Sequence, residues 1–354
     1  MQLDNAAKIE NLDTYNVQKG RSSISGLSSG AFMTVQLHLA HSSSFAGVGV
    51  IAGGPFRCAE SFRGAAALAE DAYVQSAEYI CMSPLTAAAG PDASRLANLA
   101  RRTAEAGEID PVSNLHDDRV FLFSGTRDSV VHSTVVKCTE LFYRELGVER
   151  LKLEDDVPAG HCIVTDNPED SLLEVNQPPY INRGSGMLSH EILNYIYDDL
   201  KPPSGRLNGR IVRFDQREFF GNDDRASMSE IGYAYVPAEA EARDKPSRVH
   251  IVLHGCKQGY GFVNFLNGRP DVKNQAAYGN RYIMTTGYNE IADSNNIIVL
   301  YPQAKGADGG DMQNPDGCWD WWGYTSVDPE RPDYYSRNAI QIQALHGMLS
   351  RLGG

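Results

Sequence analysis

Apolar residues in this 354-residue chain gather in short runs, each closed by a turn-forming residue. Arg119-Val-Phe-Leu-Phe-Ser124, Arg248-Val-His-Ile-Val-Leu253 and Asn296-Ile-Ile-Val-Leu-Tyr301 are nearly continuous and of strand length, the pattern of strands covered on both faces. Gly209-Arg-Ile-Val-Arg-Phe-Asp215 and Ile231-Gly-Tyr-Ala-Tyr-Val-Pro237 alternate instead, as an antiparallel hairpin at a sheet edge does. Ser22–Ser25 and Leu151–Glu154 complete the strand candidates, while Phe32, Val35, Leu37 and Leu39 mark a buried helix ending near His41 to Ser44. These elements predict an α/β fold with a mostly parallel central sheet flanked by helices. No apolar run is long enough to span a bilayer, and no repeat or low-complexity tract interrupts the chain. One catalytic domain can cover residues 1–354, with the Pro/Gly/Ser connector Lys201-Pro-Pro-Ser-Gly205 beginning an internal join near 201–208. No separate substrate-binding domain is expected.

Three of the candidate strands lead to residues that together suit acyl transfer. Ser25-Gly26-Leu27-Ser28-Ser29-Gly30-Ala31 contains Gly-x-Ser-x-Gly, the nucleophile elbow of α/β-hydrolases. A sharp strand-to-helix turn exposes the serine hydroxyl to a base and to backbone N–H donors, and small flanking residues let strand and helix approach closely. The strand from Arg119 runs into Gly125-Thr-Arg-Asp128, and the next leads to Pro158-Ala-Gly-His161. Ser, Asp, His is the order this fold class uses, and successive parallel strands would bring all three side chains to one sheet edge. Ser28 is then the nucleophile, His161 its general base and Asp128 the group that orients the imidazole. Each has a plainer reading: Asp128 as a turn residue capping the next helix, His161 as one of nine histidines on an exposed loop. Asp117 and Asp118 precede the strand and so lie at its wrong end.

One part is displaced. The oxyanion hole of this fold takes one N–H from the residue after the nucleophile and another from an earlier strand's loop, often marked His-Gly. Too few residues precede Ser28 to supply that strand, yet Arg248–Leu253 ends in His254-Gly255-Cys256 and is followed by the strand at Asn296–Tyr301. The order of elements is therefore rotated, a circular permutation of the kind tolerated where chain ends lie close together at the surface.

These segments resemble the single-domain extracellular polyhydroxybutyrate depolymerases, a family of circularly permuted α/β-hydrolases. The motifs that carry the resemblance are Gly26-Leu-Ser-Ser-Gly-Ala-Phe-Met33, Ala52-Gly-Gly-Pro55, Leu253-His-Gly-Cys256, Leu300-Tyr-Pro-Gln303 and Gly317-Cys-Trp-Asp-Trp321. It runs from about Ser22 to the C-terminal helix. It implies Ser28, Asp128 and His161 as the triad, the N–H groups of Ser29 and Cys256 as the oxyanion hole, and Trp319 as the wall of a hydroxyacyl subsite. It also implies a serine esterase, without a cofactor, that cuts poly(3-hydroxybutyrate) and related short-chain polyhydroxyalkanoates to oligomers or monomers. Around Pro178-Pro-Tyr-Ile-Asn-Arg183 the family often carries cysteines and this chain has none.

A formal net charge of −13 argues against nucleic-acid and anionic-membrane partners and suits a well-solvated surface. The spacings of common metal sites are absent, and Gly306-Ala-Asp-Gly-Gly310 reads as a flexible loop rather than a metal site. Met1-Gln-Leu-Asp-Asn5 lacks the plan of a secretory leader, so a leader has been removed or the protein is cytosolic. Six cysteines are present. Cys58 and Cys81 could clip one excursion, Cys256 and Cys318 each flank a proposed site element, and Cys138 and Cys162 could pair if their segments pack together. Six buried thiols is the plain alternative; the resemblance favours disulfides, hence the periplasm or the outside of the cell, and for the Cys256–Cys318 pair a link between oxyanion loop and subsite wall.

The triad would serve any ester. Trp319, Trp321, Trp322 and Tyr324 form an aromatic cluster in which one or two tryptophans are expected in the core and another to grip acyl units. An insoluble polymer would then meet an apolar patch of the catalytic domain itself. The first expectation is a polyester substrate and a monomeric enzyme. A feruloyl, acetyl or aromatic-polyester esterase and a catalytically silent binding protein are the rivals.

Overall fold

In the computed structural model, which describes residues 8–61, 72–221, 223–266, 269–270, 277–306 and 314–354, the apolar runs become strands of one eight-stranded sheet. Four come from the first half of the chain: β1 (Ser22–Leu27), β2 (Phe45–Ile51), β3 (Arg119–Phe123) and β4 (Arg150–Glu154). After a small sheet of β5 (Ile163–Thr165), β6 (Ser171–Leu172) and β7 (Ile181–Arg183), four more follow: β8 (Arg210–Asp215), β9 (Ile231–Val236), β10 (Arg248–Leu253) and, beyond the short pair β11 (Phe265–Leu266) and β12 (Arg269–Pro270), β13 (Ile297–Tyr301). Their spatial order is β4-β3-β2-β1-β10-β13-β9-β8. Every neighbour pair is parallel except β13 with β9 and β9 with β8, so the two alternating segments form the antiparallel edge their pattern predicts.

The rotated order is explicit in this sheet. β1 and β10 lie side by side at its centre with Gly26 opposite Leu253, so the Gly-x-Ser-x-Gly turn and the His-Gly turn leave the sheet at one level. The segment from 201 to 209 joins the two halves, tied down where Ser204 N–H donates to the Glu290 carbonyl. Residues 8–17 run along β8 and the last helix: Glu10 N–H donates to Arg213 and Tyr15 N–H to Leu352.

Helices cover both faces. α1 (Ser29–Ala40) is buried at all twelve positions, held between the sheet and the final helix. Such a helix carries no polar stripe, which is why its apolar residues show weak periodicity. α2 (Ala93–Glu105) and α3 (Ser133–Glu145) pack on each other, α4 (Leu188–Ile196) and α5 (Tyr288–Ser294) cover the face opposite α1, and α6 (Ile340–Gly353) packs on α1. On the α4 side, His250 of β10 bridges to Ser23 and Ser25 of β1 at 2.7 and 2.8 Å. Burial lowers the pKa of this imidazole to about 3, so it serves as a neutral link between the two halves. Among the described residues no helix is long and apolar enough to cross a membrane.

Two disulfides form, Cys58–Cys81 and Cys256–Cys318. A Cys138–Cys162 pairing does not: both are buried free thiols. Cys138 lies on the face of α3 turned toward α2, where its thiol donates to the Pro91 carbonyl at 3.2 Å, whereas Cys162 sits in the core directly after His161. Burial pushes both thiols up, Cys138 to about 12, which leaves them un-ionised. The expectations for Met1–Asn5 and for residues 307–310 of the glycine-rich loop lie outside the described residues.

Candidate active site

The turn after β1 has the close contacts that its sequence demands. Ser28 sits at φ 58°, ψ −124°, a backbone conformation costing about 1–3 kcal/mol in a residue with a side chain. It is held by its own N–H donating to the Ile51 carbonyl (3.0 Å) and by its carbonyl accepting from Ala31 and Phe32 at the start of α1. A Cβ on Gly26 would come within 2.3 Å of the Gly30 backbone, and one on Gly30 within 2.5 Å of the Leu253 and His254 carbonyls. The first glycine admits the helix and the second admits β10.

β3 and β4 deliver the other two residues. His161 is buried, and its Nδ1 lies 2.8 Å from Asp128 Oδ2. The second oxygen of Asp128 accepts from the N–H groups of Val130 and Val131 at 2.8 and 2.9 Å. One oxygen of Asp128 shapes the turn and the other holds the imidazole; it does not cap the next helix, α3, whose N-cap position is His132 with no side-chain cap hydrogen bond. Ser28 and His161 line the same cavity of about 610 Å³. Tyr180 walls the imidazole edge-on, ring centroids 5.4 Å apart.

From the opposite side comes the turn after β10. A Cβ on Gly255 would stand 3.3 Å from that of Ser28. His254 shapes this turn in a way the His-Gly signature alone does not specify. Ala304 N–H donates to His254 Nε2 at 3.1 Å, so Nδ1 carries the proton and donates to the Gly255 carbonyl at 2.7 Å. That carbonyl shares a peptide plane with the Cys256 N–H, so one hydrogen bond sets the direction of the other group. Burial lowers the His254 pKa to about 4, keeping the ring in the neutral form this arrangement needs. Gln258 accepts from Gly255 N–H (2.6 Å), Asp316 accepts from Lys257 N–H (2.7 Å), and the Cys256 N–H stands between them. Ser29 N–H heads α1, where a first-turn donor has no intrahelical acceptor.

The tryptophan expectation needs correction. Trp319 is fully buried beside His254 and does not line the cavity; the aromatic side chains that do, besides Tyr180, are Phe32, Trp321 and Trp322. Trp321 stacks on Phe32 with centroids 3.8 Å apart, and Trp322 meets Trp321 edge-on. The reason is Asp320, whose buried carboxylate accepts from the N–H groups of Trp322, Gly323, Tyr324 and Thr325 and from the Thr325 hydroxyl. The loop wraps around that carboxylate, which turns Trp319 inward and presents the next two indoles. Burial raises the Asp320 pKa against these donors. Cys318, disulfide-bonded to Cys256, begins the segment, and Trp319 N–H donates to Ser29 Oγ at 3.3 Å. Among the described residues no cluster of three or more His, Cys, Asp or Glu side chains could hold a metal ion.

A mostly parallel sheet with a serine elbow after its central strand, and with an Asp-held histidine following the next strands, defines an α/β-hydrolase. No protein-family model matches the chain. A poly(3-hydroxybutyrate) depolymerase of Delftia acidovorans is 35% identical over 347 residues, which are 97% of this chain and 61% of that protein. A polyhydroxybutyrate depolymerase of Talaromyces funiculosus is 30% identical over 346 residues, covering 94% of this chain and 87% of the relative. The crystal structure of a PHB depolymerase from Penicillium funiculosum, and a serine-to-alanine PHB depolymerase in complex with an R-3-hydroxybutyrate trimer, each superpose with a TM-score of 0.80 at 28% identity, over 97% of this chain and 99% of theirs. The chain belongs to the polyhydroxybutyrate depolymerase family and spans about three-fifths of the Delftia protein's length.

Proposed function

We propose that this chain is a serine esterase that hydrolyses poly(3-hydroxybutyrate) and related short-chain polyhydroxyalkanoates to oligomers and monomers through an acyl-enzyme. The observation that carries the reading is a single cavity in which Ser28, an Asp-held His161 and the Cys256 turn meet an apolar wall. His161 Nε2 takes the Ser28 proton as Oγ attacks the ester carbonyl, and the N–H groups of Ser29 and Cys256 receive the negative charge on its oxygen. Collapse breaks the ester C–O bond, and the leaving hydroxyl takes the proton from His161. Water then repeats the cycle on the acyl-enzyme, releasing a carboxylic acid and restoring Ser28. Asp128 holds the imidazole tautomer throughout.

The relatives' names and the trimer bound to one of them support a 3-hydroxybutyrate ester as substrate. Two disulfides support an oxidising compartment, the periplasm or the exterior of the cell. The net charge of −13 supports a polyester rather than nucleic acid or anionic membrane as the surface met. Residues 1–354 act as one catalytic unit. The test is clearing of a polyhydroxybutyrate suspension, with release of soluble acid compared between polyhydroxybutyrate film and feruloyl or aromatic esters. Preference for the latter would assign another carboxylesterase, and failure to label with an organophosphonate would assign a silent binding protein.

Trp322→Ala is expected to lower activity on polymer and oligomers at least about tenfold relative to nitrophenyl acetate, since a wall contributes binding only to substrates that reach it. Trp319→Ala removes a buried indole; it should cost about 3–5 kcal/mol of stability and lower both activities together. The ratio of the two rates is the deciding measurement.

The Cys256–Cys318 bond closes a loop of 62 residues, worth about 4 kcal/mol in the chain-entropy account. It also ties the proposed oxyanion donor to the aromatic segment. Cys318→Ser should therefore lower Tm and reduce kcat toward the ~10²-fold loss typical of one missing oxyanion donor. A lower Tm with unchanged kcat would confine the bond to stability.

A further inference from the structure

We infer that Asn176, which lies on the loop between β6 and β7 and outside the cavity lining, is the positioning residue that holds the acid and the base of the site in register. Its carboxamide makes four hydrogen bonds, all to backbone. Oδ1 accepts from Ser129 N–H (3.1 Å) and from His161 N–H (2.8 Å). Nδ2 donates to the Arg127 carbonyl (3.0 Å) and the Glu174 carbonyl (3.1 Å). Two N–H partners on one side and two carbonyls on the other fix the amide's orientation and use its full capacity.

The partners are what make this arrangement specific. Arg127 and Ser129 flank Asp128 in sequence, and the third partner is the backbone of His161 itself. One amide thus grips the chain on both sides of the carboxylate and at the base. Upstream of Asp128, the two loops are already joined by Thr126 N–H to the Val157 carbonyl and Arg127 N–H to the Ala159 carbonyl. Past Asp128, the Ser129 N–H to Asn176 contact continues that seam to the far side of the carboxylate. The Asp128 Oδ2 to His161 Nδ1 distance of 2.8 Å is set by where these two backbones stand. An aspartate at 176 would keep the acceptor for Ser129 and His161 but would set an oxygen against two carbonyls, so only an amide satisfies all four partners. A hydrophobic or shorter side chain leaves the turn after Asp128 free to drift from the imidazole.

This inference rests on the proposed triad, and the test separates the two. Asn176→Ala, Asn176→Asp and His161→Ala are compared with wild type on a soluble nitrophenyl ester. Rates are expressed per organophosphonate-titrated site for the variants that label, and per folded protein for His161→Ala. The low-field proton resonance of His161 Nδ1–H is recorded alongside. Misplacement of the imidazole should lower kcat about 10²-fold in both Asn176 variants with KM little changed, and the resonance should move upfield or vanish. Loss of folded protein alone would lower the titrated site count but leave kcat per site and the resonance intact, and that outcome overturns the inference. Where Asn176→Ala does not accumulate as folded protein, the near-isosteric Asn176→Asp carries the test. An inactive His161→Ala beside unimpaired Asn176 variants removes only this inference; a His161→Ala as active as wild type removes it together with the triad.

Discussion

Ser28→Ala is expected to lower kcat by on the order of 10⁴-fold or more on both a polyhydroxybutyrate suspension and a soluble ester, with Tm little changed. The substitution deletes one oxygen at the apex of the elbow. The backbone bonds that hold the turn, from Ser28 N–H to the Ile51 carbonyl and from Ala31 and Phe32 to the Ser28 carbonyl, do not involve it. What survives is the contribution of binding and of the proposed oxyanion donors. Ser29→Ala keeps its backbone N–H and loses only the hydroxyl that accepts from Trp319 N–H. It should cost no more than about tenfold, the scale of one neutral hydrogen bond. Similar losses in the two variants would overturn the choice of Ser28.

His161→Ala is expected to abolish activity, and Asp128→Asn to lower kcat by roughly 10⁴-fold while the fold persists, because the amide favours the wrong imidazole tautomer. With the native chain, kcat/KM should fall on acidification, since general-base catalysis needs a base free to accept the Ser28 proton. The other histidines of the centre do not confuse that limb. Burial holds His250 near about 3 and His254 near about 4, so both rings stay neutral while the enzyme works. Their effect falls on stability. Between the ordinary imidazole value of 6.5 and these lowered values the unfolded chain binds protons that the folded one does not, so stability falls as pH drops through that window. Rate and Tm measured across the same pH series separate the two effects. Substantial activity in His161→Ala, with another histidine essential, would dismantle the site.

Much of this was legible in the sequence because its signals were local. The strands of the sheet announce themselves as continuous or alternating apolar runs, and Gly26 and Gly30 are required by contacts of their own backbones. Asp128 and His161 could be nominated because each follows a strand. Three features were not local. Asp320 gathers five donors from residues up to Thr325, and no periodicity marks a loop wound around a carboxylate; hence the wrong tryptophan was expected at the cavity. The Asn176 amide serves partners 15 and 47 residues away and looks in sequence like any loop asparagine. Cysteine spacing left the Cys138–Cys162 pairing open, since which face of a helix a thiol occupies depends on what packs there.

The adjacency of β1 and β10 bears on how the protein comes into being. The bridge from Ser23 to His250 spans 227 residues, so at translation rates of about 5–20 residues per second the nucleophile strand waits on the order of tens of seconds for its neighbour. Until then β1 is an edge strand with unpaired N–H and carbonyl groups, the state most exposed to aggregation and most in need of a chaperone. It is also a state without the Cys256 turn. A nascent chain therefore carries its serine and histidine long before it can assemble a complete hydrolytic centre, and activity is deferred until both halves have met.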